Sequence, residues 1–384
     1  MKVKLVSTEE ELQGLKEQWN RLVSSNPSTD YVFYSWEWFF YSWKYAGCPE
    51  LFVVIALEND ELVGVLPLLR TTVKRRGLKV RSLAFCPNGN TPRNDIYVSE
   101  KNEITQKLQV IETILQRVCL ERKLWDILVF SNIADSTLLF SVLTGGEGTH
   151  QVFPHIIQTE GRSSPHVDIS SYASFDEHLL KNVGQRRRTK LRRDIKRLDS
   201  LQKPWNIRHY SSGSQYLEGL RLLIDIRKKS WKSTPSQEFQ KFLCDICTDP
   251  FFDGRLHIAI LVLEDLPIAG QFYLIKNRCA QMLLNDHDED YHENLVPGSN
   301  LTTMMLMYAF ENQWSFFDFS GSAHDYKKWL SSGITHHSNF QLFHSGLKSR
   351  LIHWGKTSVL PWIRKLMPQK EQLNEQKASS EKTG

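Results

Sequence analysis

Between a predicted strand and a predicted helix, the chain reads Asn-Leu-Val-Pro-Gly-Ser-Asn-Leu over residues 294–301. The proline fixes the angle at which the chain enters the helix, and the glycine lets a ligand approach the backbone. The first helical turn offers N–H groups without intrahelical partners and the positive end of the helix dipole, which together bind phosphate. The junction is therefore either an ordinary helix start with a polar cap or a pyrophosphate cradle. The residues of that cradle would be Val296, Gly298, Ser299 and Asn300.

The order of predicted elements around this junction indicates an α/β sheet. Apolar runs predict a β-hairpin over residues 256–275 and a further strand over residues 279–285, before the helix of residues 298–312. A buried strand at residues 316–319 and a short helix at residues 324–330 follow. Strand, helix and strand in this order form a crossover unit with parallel strands, and ligands bind at the carboxyl ends of such strands.

The same order of elements occurs earlier in the chain. A predicted hairpin over residues 51–69 superposes on the one over residues 256–275, and each has an acidic turn. Gly64 and Gly270 then fall at equivalent places in the two return strands, where a glycine often marks a bulge or a close backbone approach. The sequence therefore predicts one αβ unit used twice.

We predict two domains and a tail. Residues 1–165 form an N-terminal domain that lacks a Pro-Gly helix start, so we expect it to bind the acceptor or to act as a scaffold. Residues 166–367 form the catalytic domain, whose last strand is expected at residues 340–343. Residues 368–384 lack apolar periodicity and are rich in Lys, Glu, Gln and Ser, so they predict a disordered tail.

Composition narrows the class of protein. A hydrophobic content of 41% over 384 residues is typical of a globular chain with real cores. The net charge of +5 is mild, so it permits anionic partners without indicating DNA binding. No segment resembles a signal peptide or approaches the ~20 apolar residues of a membrane span, and the six cysteines are scattered. We expect a cytoplasmic protein with reduced thiols and no metal site.

Two motifs give a definite resemblance to a known family. Residues 181–193 read Lys-Asn-Val-Gly-Gln-Arg-Arg-Arg-Thr-Lys-Leu-Arg-Arg, and residues 318–329 read Asp-Phe-Ser-Gly-Ser-Ala-His-Asp-Tyr-Lys-Lys-Trp. Together with the order of elements, they resemble the duplicated GNAT acetyltransferases of the BioF2-like or CelD/BcsL family, relatives of the Fem aminoacyl transferases. The resemblance covers residues 33–354 and is most specific at Tyr-Lys-x-Trp, residues 326–329. It implies tandem GNAT-like domains, each a mixed, mostly antiparallel sheet flanked by helices.

The family implies an acyltransferase that moves an acyl group from acetyl-CoA or another acyl-CoA to an amine. The acceptor would be a sugar, peptide or metabolite, often in exopolysaccharide or cell-envelope synthesis. The junction has one glycine where the standard GNAT phosphate loop has two, so two alternatives stay open. One is a Fem-like transferase that uses aminoacyl-tRNA, and the other is a non-catalytic module of a polysaccharide-synthesis complex.

Acyl transfer to an amine needs a base, because an alkyl amine with a pKa of about 10.4 must lose a proton before it attacks. Candidate bases cluster in Asp-His-Asp-Glu-Asp at residues 286–290, directly after a predicted strand. His287 can titrate near neutral pH, and carboxylates beside it would raise its pKa. Asp286 and His287 are therefore candidate catalytic residues, and the alternative is a solvated acidic loop.

The signature residues Tyr326 and Lys327 lie on the predicted short helix, so that one of them can face the cleft. Tyr326 can return a proton to the leaving thiolate. The resemblance to the Fem enzymes implies that Lys327 neutralises donor phosphate or the developing oxyanion. The alternative is that Tyr326 packs against Trp329 and Lys327 is only solvated.

Three further residues are predicted to bind substrate. Arg227 and Trp231 are four residues apart on a predicted helix and so share one face, where the resemblance implies acceptor or donor contacts. The alternative is an ordinary helix surface with a buried tryptophan. In the first domain, Asp95 resembles the position where the Fem enzymes keep an acceptor-binding aspartate.

Two basic segments remain. Residues 186–193 hold three arginines in a row and three further cations, which form either a solvated helix face or a patch for the phosphates of CoA, of a nucleotide-linked acceptor or of an acyl-tRNA. Residues 347–367 interleave tryptophans with Arg and Lys. This helix either packs its apolar face on the domain or makes a peripheral contact with an anionic membrane.

Overall fold

The computed structural model describes residues 1–24, 32–75, 78–86, 91–145, 151–232, 234–291, 295–321 and 325–359. The chain divides into two units. The described residues of the first unit lie within residues 1–27, 46–161 and 337–384, and those of the second within residues 28–45 and 162–336. Each unit has one mixed, mostly antiparallel sheet flanked by helices, which confirms the predicted fold class. The predicted tail at residues 368–384 lies outside the described residues.

The strands, in chain order, are β1 (Lys2–Val6), β2 (Glu50–Glu58), β3 (Glu61–Arg75), β4 (Leu78–Ala84), β5 (Tyr97–Val98), β6 (Ile127–Ala134), β7 (His155–Glu160), β8 (Ser164–Asp168), β9 (Trp205–Tyr210), β10 (Leu256–Leu263), β11 (Leu266–Lys276), β12 (Cys279–His287), β13 (Phe316–Asp318), β14 (Gly333–Thr335) and β15 (His337–Phe343). The helices are α1 (Glu9–Gly14), α2 (Lys16–Ser24), α3 (Trp36–Tyr45), α4 (Ile104–Leu120), α5 (Leu138–Gly145), α6 (Phe175–Asn182), α7 (Gln185–Ser200), α8 (Gln215–Lys228), α9 (Gln237–Thr248), α10 (Pro297–Glu311), α11 (Asp325–Leu330) and α12 (Leu347–Trp354).

The two sheets have corresponding strand orders. The first runs β1-β2-β3-β4-β6-β15-β7, with β5 paired to β3, and the second runs β9-β10-β11-β12-β13-β8-β14. In each sheet the fourth and fifth strands are parallel, and the helix between them in sequence is α4 in the first unit and α10 in the second. This correspondence confirms that one αβ arrangement occurs twice.

The two predicted hairpins are present and close through the same kind of turn. Asn59 and Asp60 in the first unit, and Glu264 and Asp265 in the second, all have positive φ. Two-residue turns with positive φ at both positions match the right-handed twist of the strands that they join. Each return strand also carries a β-bulge just after the turn.

The predicted domain boundary is wrong at two places. Strand β15 pairs with β6 and β7 in the first sheet, although the sequence pattern placed it at the end of the second domain. Helix α3 groups with the second unit, although it precedes the first hairpin in sequence. In the second sheet the position that corresponds to β15 is filled by β8. A local apolar pattern identifies a strand but not its partner, because pairing is set by contacts far away in sequence.

Gly64 and Gly270 are not equivalent, contrary to the prediction. Gly64 is the first residue after its bulge, whereas Gly270 is the second after its own. A shift of one residue along a strand moves a side chain to the opposite face of the sheet. A Cβ at Gly64 would therefore meet Val110 on α4, whereas a Cβ at Gly270 would meet Leu223 on α8. Both glycines allow a helix to cross the sheet closely, but on different faces.

Candidate active site in the second unit

Helix α10 begins as the sequence predicted, and its first turn carries no side-chain cap. Val296 is the N-cap residue, and no acidic side chain lies in the first turn. Among the described residues, no hydrogen bond to the backbone N–H groups of Gly298 and Ser299 is found. Asn300 is different, because its N–H donates to the Val296 carbonyl at 2.9 Å and its buried side chain donates to the Asp194 carbonyl on α7 at 3.3 Å. Two amides therefore remain open at this helix end.

Strand β12 leads toward this helix start and separates from its parallel neighbour. The ladder between β12 and β13 covers only Cys279 to Gln281 on the β12 side, so within the described residues the rest of β12 has no partner on that side. A bulge at Leu283 interrupts the pairing of β12 with β11. Bulges bend a strand and increase its local twist. Residues 283–285 are partly exposed although β12 lies at the centre of the sheet, which indicates an open cleft.

A hydrogen-bonded network of neutral side chains crosses this cleft. Asn285 on β12 donates through Nδ2 to the Tyr326 hydroxyl at 2.8 Å. Its Oδ1 accepts from Gln271 Nε2 at 3.1 Å, and the same Nε2 donates to Thr302 on α10 at 2.7 Å. Burial raises the pKa of Tyr326 to about 12. Tyr326 therefore keeps its proton at neutral pH and can donate it to a reacting group.

Lys327 turns away from solvent and holds the backbone that follows β13. Its Nζ donates to the carbonyls of Phe319 at 2.8 Å and Ser320 at 2.9 Å. Burial lowers the pKa of Lys327 to about 8, while the nearby Asp318 raises it in part. Asp318 in turn accepts from the Ser320 N–H at 2.8 Å, which is the turn-capping role expected for a buried carboxylate. Lys327 therefore positions the backbone that follows β13.

Two of the acids at and just after the end of β12, Asp286 and Asp288, are buried and paired with cations, whereas Glu289 and Asp290 are exposed. Asp286 is buried, with Arg227 Nη1 at 3.3 Å from Oδ2 and Lys232 Nζ at 3.0 Å from Oδ1. Asp288 is buried too and pairs with Lys229 at 2.8 Å. These two acids fix the end of α8 against the end of β12.

His287 contacts the start of α10. A Cβ on Gly298 would lie 3.0 Å from the His287 Nδ1 atom. The glycine therefore lets the end of β12 and the helix start approach each other closely. The two sequence-predicted parts of the site, residues 286–287 and the Pro-Gly junction, lie together.

The comparisons with known proteins agree with this geometry. Residues 185–328, from the start of α7 into α11, match the family model described as an acetyltransferase (GNAT) domain. The second unit contains a GNAT domain. A search of curated proteins finds no significant match to the chain.

Solved structures extend the likeness to both units. FemX has a TM-score of 0.58 at 12% identity, with 92% of this chain and 100% of FemX covered. The C-terminal domain (DUF2156) of a protein from Agrobacterium fabrum, described as a lysylphosphatidylglycerol synthetase, has a TM-score of 0.53 at 11% identity, with 89% and 95% covered. At such identities the likeness establishes the fold, in agreement with the Fem-related GNAT resemblance of the sequence.

The prediction that Arg227 and Trp231 share one helix face is wrong. Helix α8 ends at Lys228, so Trp231 does not share a helix face with Arg227. At the end of α8, the N–H groups of Lys229 and Ser230 donate hydrogen bonds to carbonyls three residues earlier, which narrows the last turn. Trp231 lies beyond the helix and is 68% exposed, whereas Arg227 is paired with Asp286.

Asp95 lies in the first unit, outside the GNAT domain. Its Oδ1 accepts from the Ile96 N–H at 2.8 Å. Burial raises the pKa of Asp95 to about 7, because the charged form loses water. A carboxyl group that titrates near neutral pH is compatible with a binding role. Residues 88–90, which precede it in the predicted loop, lie outside the described residues.

Sequence reasoning missed three residues of the GNAT domain's cleft. Lys232 contacts Asp286 and also donates to the Asn285 carbonyl. Asn285 and Gln271 form the neutral network that reaches Tyr326. A polar residue at the end of an apolar strand was a usable signal for Asn285. Nothing local marked Lys232, because its partners lie more than fifty residues away.

Proposed function

We propose that the GNAT domain transfers an acetyl or other acyl group from a CoA thioester to an amine. The observation that carries the proposal is the separation of β12 from β13 beside two open amides at the start of α10. Such a cleft admits an extended donor, and the amides at the positive helix end suit its pyrophosphate. The residues present therefore fit a CoA thioester, with Gly298 and Ser299 at its phosphates.

The reaction needs one proton removed and one supplied. The acceptor nitrogen attacks the thioester carbonyl carbon, a C–N bond forms, the C–S bond breaks, and the sulfur leaves as a thiolate that takes a proton. Tyr326 fits the last step, because its hydroxyl stays protonated at neutral pH and is oriented by Asn285. Both carboxylate oxygens of Asp286 already contact cations, Arg227 and Lys232, so Asp286 is not assigned as the base. Removal of the amine proton is therefore assigned to His287 or to water at the cleft.

Helix α7 supplies positive charge next to the α10 start. Eight of its residues are Lys or Arg, against the acids Asp194 and Asp199. Asp194 is buried and has Lys190 Nζ at 3.2 Å, with Arg193 and Arg197 slightly farther away. Most of the other cations are exposed. Because the Asp194 carbonyl holds Asn300, this basic face adjoins the open amides and favours an anionic donor.

The acceptor class rests on the family resemblance alone. The Tyr-Lys-x-Trp signature supports an amine of a sugar, peptide or metabolite in exopolysaccharide or cell-envelope synthesis. Arg187 of α7 lies over the ring of Trp329, a residue of the signature, with its Cζ atom 5.5 Å from the ring centroid, so Trp329 ties the basic helix to α11.

A second candidate is transfer from aminoacyl-tRNA. The run of cations on α7 favours it, since a strip of cations suits an RNA backbone as well as a single nucleotide. The two candidates differ in salt dependence, because each phosphate contact to a nucleic acid releases counterions on binding. A CoA ester engages far fewer phosphates and should show a shallow dependence.

Thermal shift with a series of acyl-CoA esters tests the first candidate. A ligand at about 100 times its Kd should stabilise the native protein by about 2.7 kcal/mol. Release of free thiol in the presence of candidate amines then identifies turnover. Absence of a shift with every ester, together with salt-sensitive binding of charged tRNA, would replace the first candidate by the second. Absence of both would favour a non-catalytic module.

A further inference from the structure

Helix α12 in the first unit is fixed to its sheet by one face. Lys348 Nζ lies 2.7 Å from Asp126 Oδ2. The buried Ser349 hydroxyl accepts from the His344 N–H at 3.1 Å. Ile352 packs against a small apolar cluster of the sheet, and the His353 ring stacks on the His155 ring at 4.4 Å. The orientation of the helix is therefore set by contacts along residues 348–353.

The opposite face of α12 presents large apolar side chains to solvent. Leu347, Leu351 and Trp354 are 73%, 56% and 58% exposed. Their spacing of four and three residues places them in one stripe along the helix. The sequence allowed two interpretations of this segment, and the described part does not show its apolar stripe packed on the domain. Apolar side chains exposed side by side usually mark an interaction surface.

The surroundings of the stripe are basic. Arg350 is exposed on α12 between Leu347 and Leu351. Arg122 donates to the Ser345 hydroxyl just before the helix. A buried acid beneath the helix, Asp126, is paired with both Arg81 and Lys348. The charge near the stripe is therefore positive.

We propose that this face of α12 docks the protein on an anionic phospholipid surface. Leu347, Leu351 and Trp354 insert among the acyl chains, and Arg350 contacts the headgroups. A helix with a Leu and Trp face, flanked by cations and lying parallel to the surface, is the form that binds membrane interfaces. A bilayer also needs no shaped groove, which suits a convex stripe. The following sequence, Leu-Pro-Trp-Ile-Arg-Lys-Leu-Met at residues 360–367, continues the same composition, although it lies outside the described residues.

Docking of this kind is peripheral. No described helix is both long enough and apolar enough to cross a bilayer. Anionic lipid attracts each nearby Lys or Arg, and the attraction falls off within a Debye length. Binding should therefore need both the apolar stripe and negatively charged lipid. The inference is independent of the proposed acyl transfer, because it concerns the first unit and a different readout.

Sedimentation of the full chain with lipid vesicles tests the proposal. Vesicles of phosphatidylcholine mixed with phosphatidylglycerol should bind the protein, and vesicles of phosphatidylcholine alone should bind it at least about tenfold more weakly. The double variant L351S/W354S should lose at least about tenfold in partition to the mixed vesicles, because two large apolar side chains are removed. The matched control L180S/L217S removes leucines of the second unit that are 65% and 42% exposed, and it should bind like the parent protein.

Each other outcome is decisive against the proposal. Equal binding of L351S/W354S and of the control would show that α12 is not the contact. Equal binding to charged and uncharged vesicles would show that the cations beside the stripe, such as Arg350, do not contribute to binding. If the parent protein is a dimer in light scattering and L351S/W354S is a monomer, the stripe is a subunit interface. Both double variants change only exposed side chains, and circular dichroism verifies that they fold.

Discussion

The parallel strand pairs of the two units differ at one point. In the first unit the last three residues of β4, Ser82 to Ala84, pair with β6. In the second unit the first three residues of β12 pair with β13, and the remaining residues lose that partner. The ladder between β3 and β4 is regular, whereas the ladder between β11 and β12 has a bulge at Leu283. The strand that loses its parallel partner in the second unit is therefore also the strand that carries the bulge.

The helix that lies in sequence between the two parallel strands also differs between the units, at its first turn. At the start of α4, the N-cap is Glu103, whose N–H donates to the Gln106 side chain at 3.3 Å. A carboxylate at a helix N-terminus takes the place that an anionic ligand would occupy. The start of α10 has neither an acid nor a side-chain cap. Both differences support the proposal that the donor binds in the second unit.

The largest effect is expected when Tyr326, the proposed proton donor beside the open strand, is removed. Tyr326→Phe should lower kcat by about a thousandfold, within the usual range for a general acid, and should leave the donor KM nearly unchanged. Tyr172→Phe is a matched control in the same unit, because the Tyr172 ring packs against His178 and no described residue forms a hydrogen bond with its hydroxyl. Steady-state thiol release measures both variants. A Tyr326→Phe enzyme that keeps more than half of the parent kcat would exclude Tyr326 as the acid.

A second change gives α10 the acidic start of α4. Ser299→Asp should weaken donor binding by about a hundredfold, because an added carboxylate close to a phosphate costs a few kcal/mol. The same aspartate suits a helix N-terminus, so the protein should remain folded. Calorimetric titration with acetyl-CoA measures the affinity, and Glu103→Gln in the first unit serves as the control. If the affinity of Ser299→Asp stays within threefold of the parent protein, the donor does not bind at this helix start.

Much of this fold follows from local sequence patterns. The acidic turns at Asn59-Asp60 and Glu264-Asp265 mark both hairpins, and the Pro-Gly pair marks the start of α10. These features depend on residues close together in sequence, whose backbone preferences act directly. The resemblance then connected the second copy to acyl transfer.

The features that create the cleft did not follow from the sequence. Leu283 looks like any other apolar strand residue, yet it forms the bulge, because bulge placement depends on the pairing of two strands. The end of α8 has no Gly or Pro, so the pattern extended the helix to Trp231. Lys229 and Lys232 pair instead with Asp288 and Asp286, and these ion pairs hold the chain after the helix.

The two strand glycines test whether the units pack their helices on different faces. Gly64→Ala should cost about 2 kcal/mol of unfolding free energy, because the new Cβ would lie 2.6 Å from a methyl group of Val110, whose β-branched side chain is stiff. Gly270→Ala should cost about 1 kcal/mol, because the nearest atom is the flexible end of Leu223 at 2.7 Å. Urea unfolding measures both. Adding Val110→Ala should restore the unfolding free energy of Gly64→Ala but not that of Gly270→Ala. The reverse pattern would contradict the assignment of faces.

The smallest effect concerns Asp126, a buried acid of the first unit. Two cations hold Asp126, as two cations hold Asp286 in the second unit. Burial alone would raise the pKa of Asp126, but hydrogen bonds from Arg81 and Lys348 outweigh it and lower the pKa to about 2. The native state therefore binds this proton less readily than the unfolded state. The resulting stability is present above the unfolded pKa of about 3.9 and is lost as the pH falls toward about 2. Because Arg81 and Lys348 are partly exposed, the contribution is about 1 kcal/mol.

Asp126→Asn isolates that contribution. The unfolding free energy of the parent protein, measured in urea at a series of pH values, should fall more steeply than that of the variant between pH of about 4 and about 2. The two curves should converge at the acid end, since the parent carboxyl is then protonated and resembles the amide. Curves that stay parallel throughout this window would mean that the pairs to Arg81 and Lys348 add no net stability. In that case the anchoring of α12 depends on Ser349 and the stacked histidines instead.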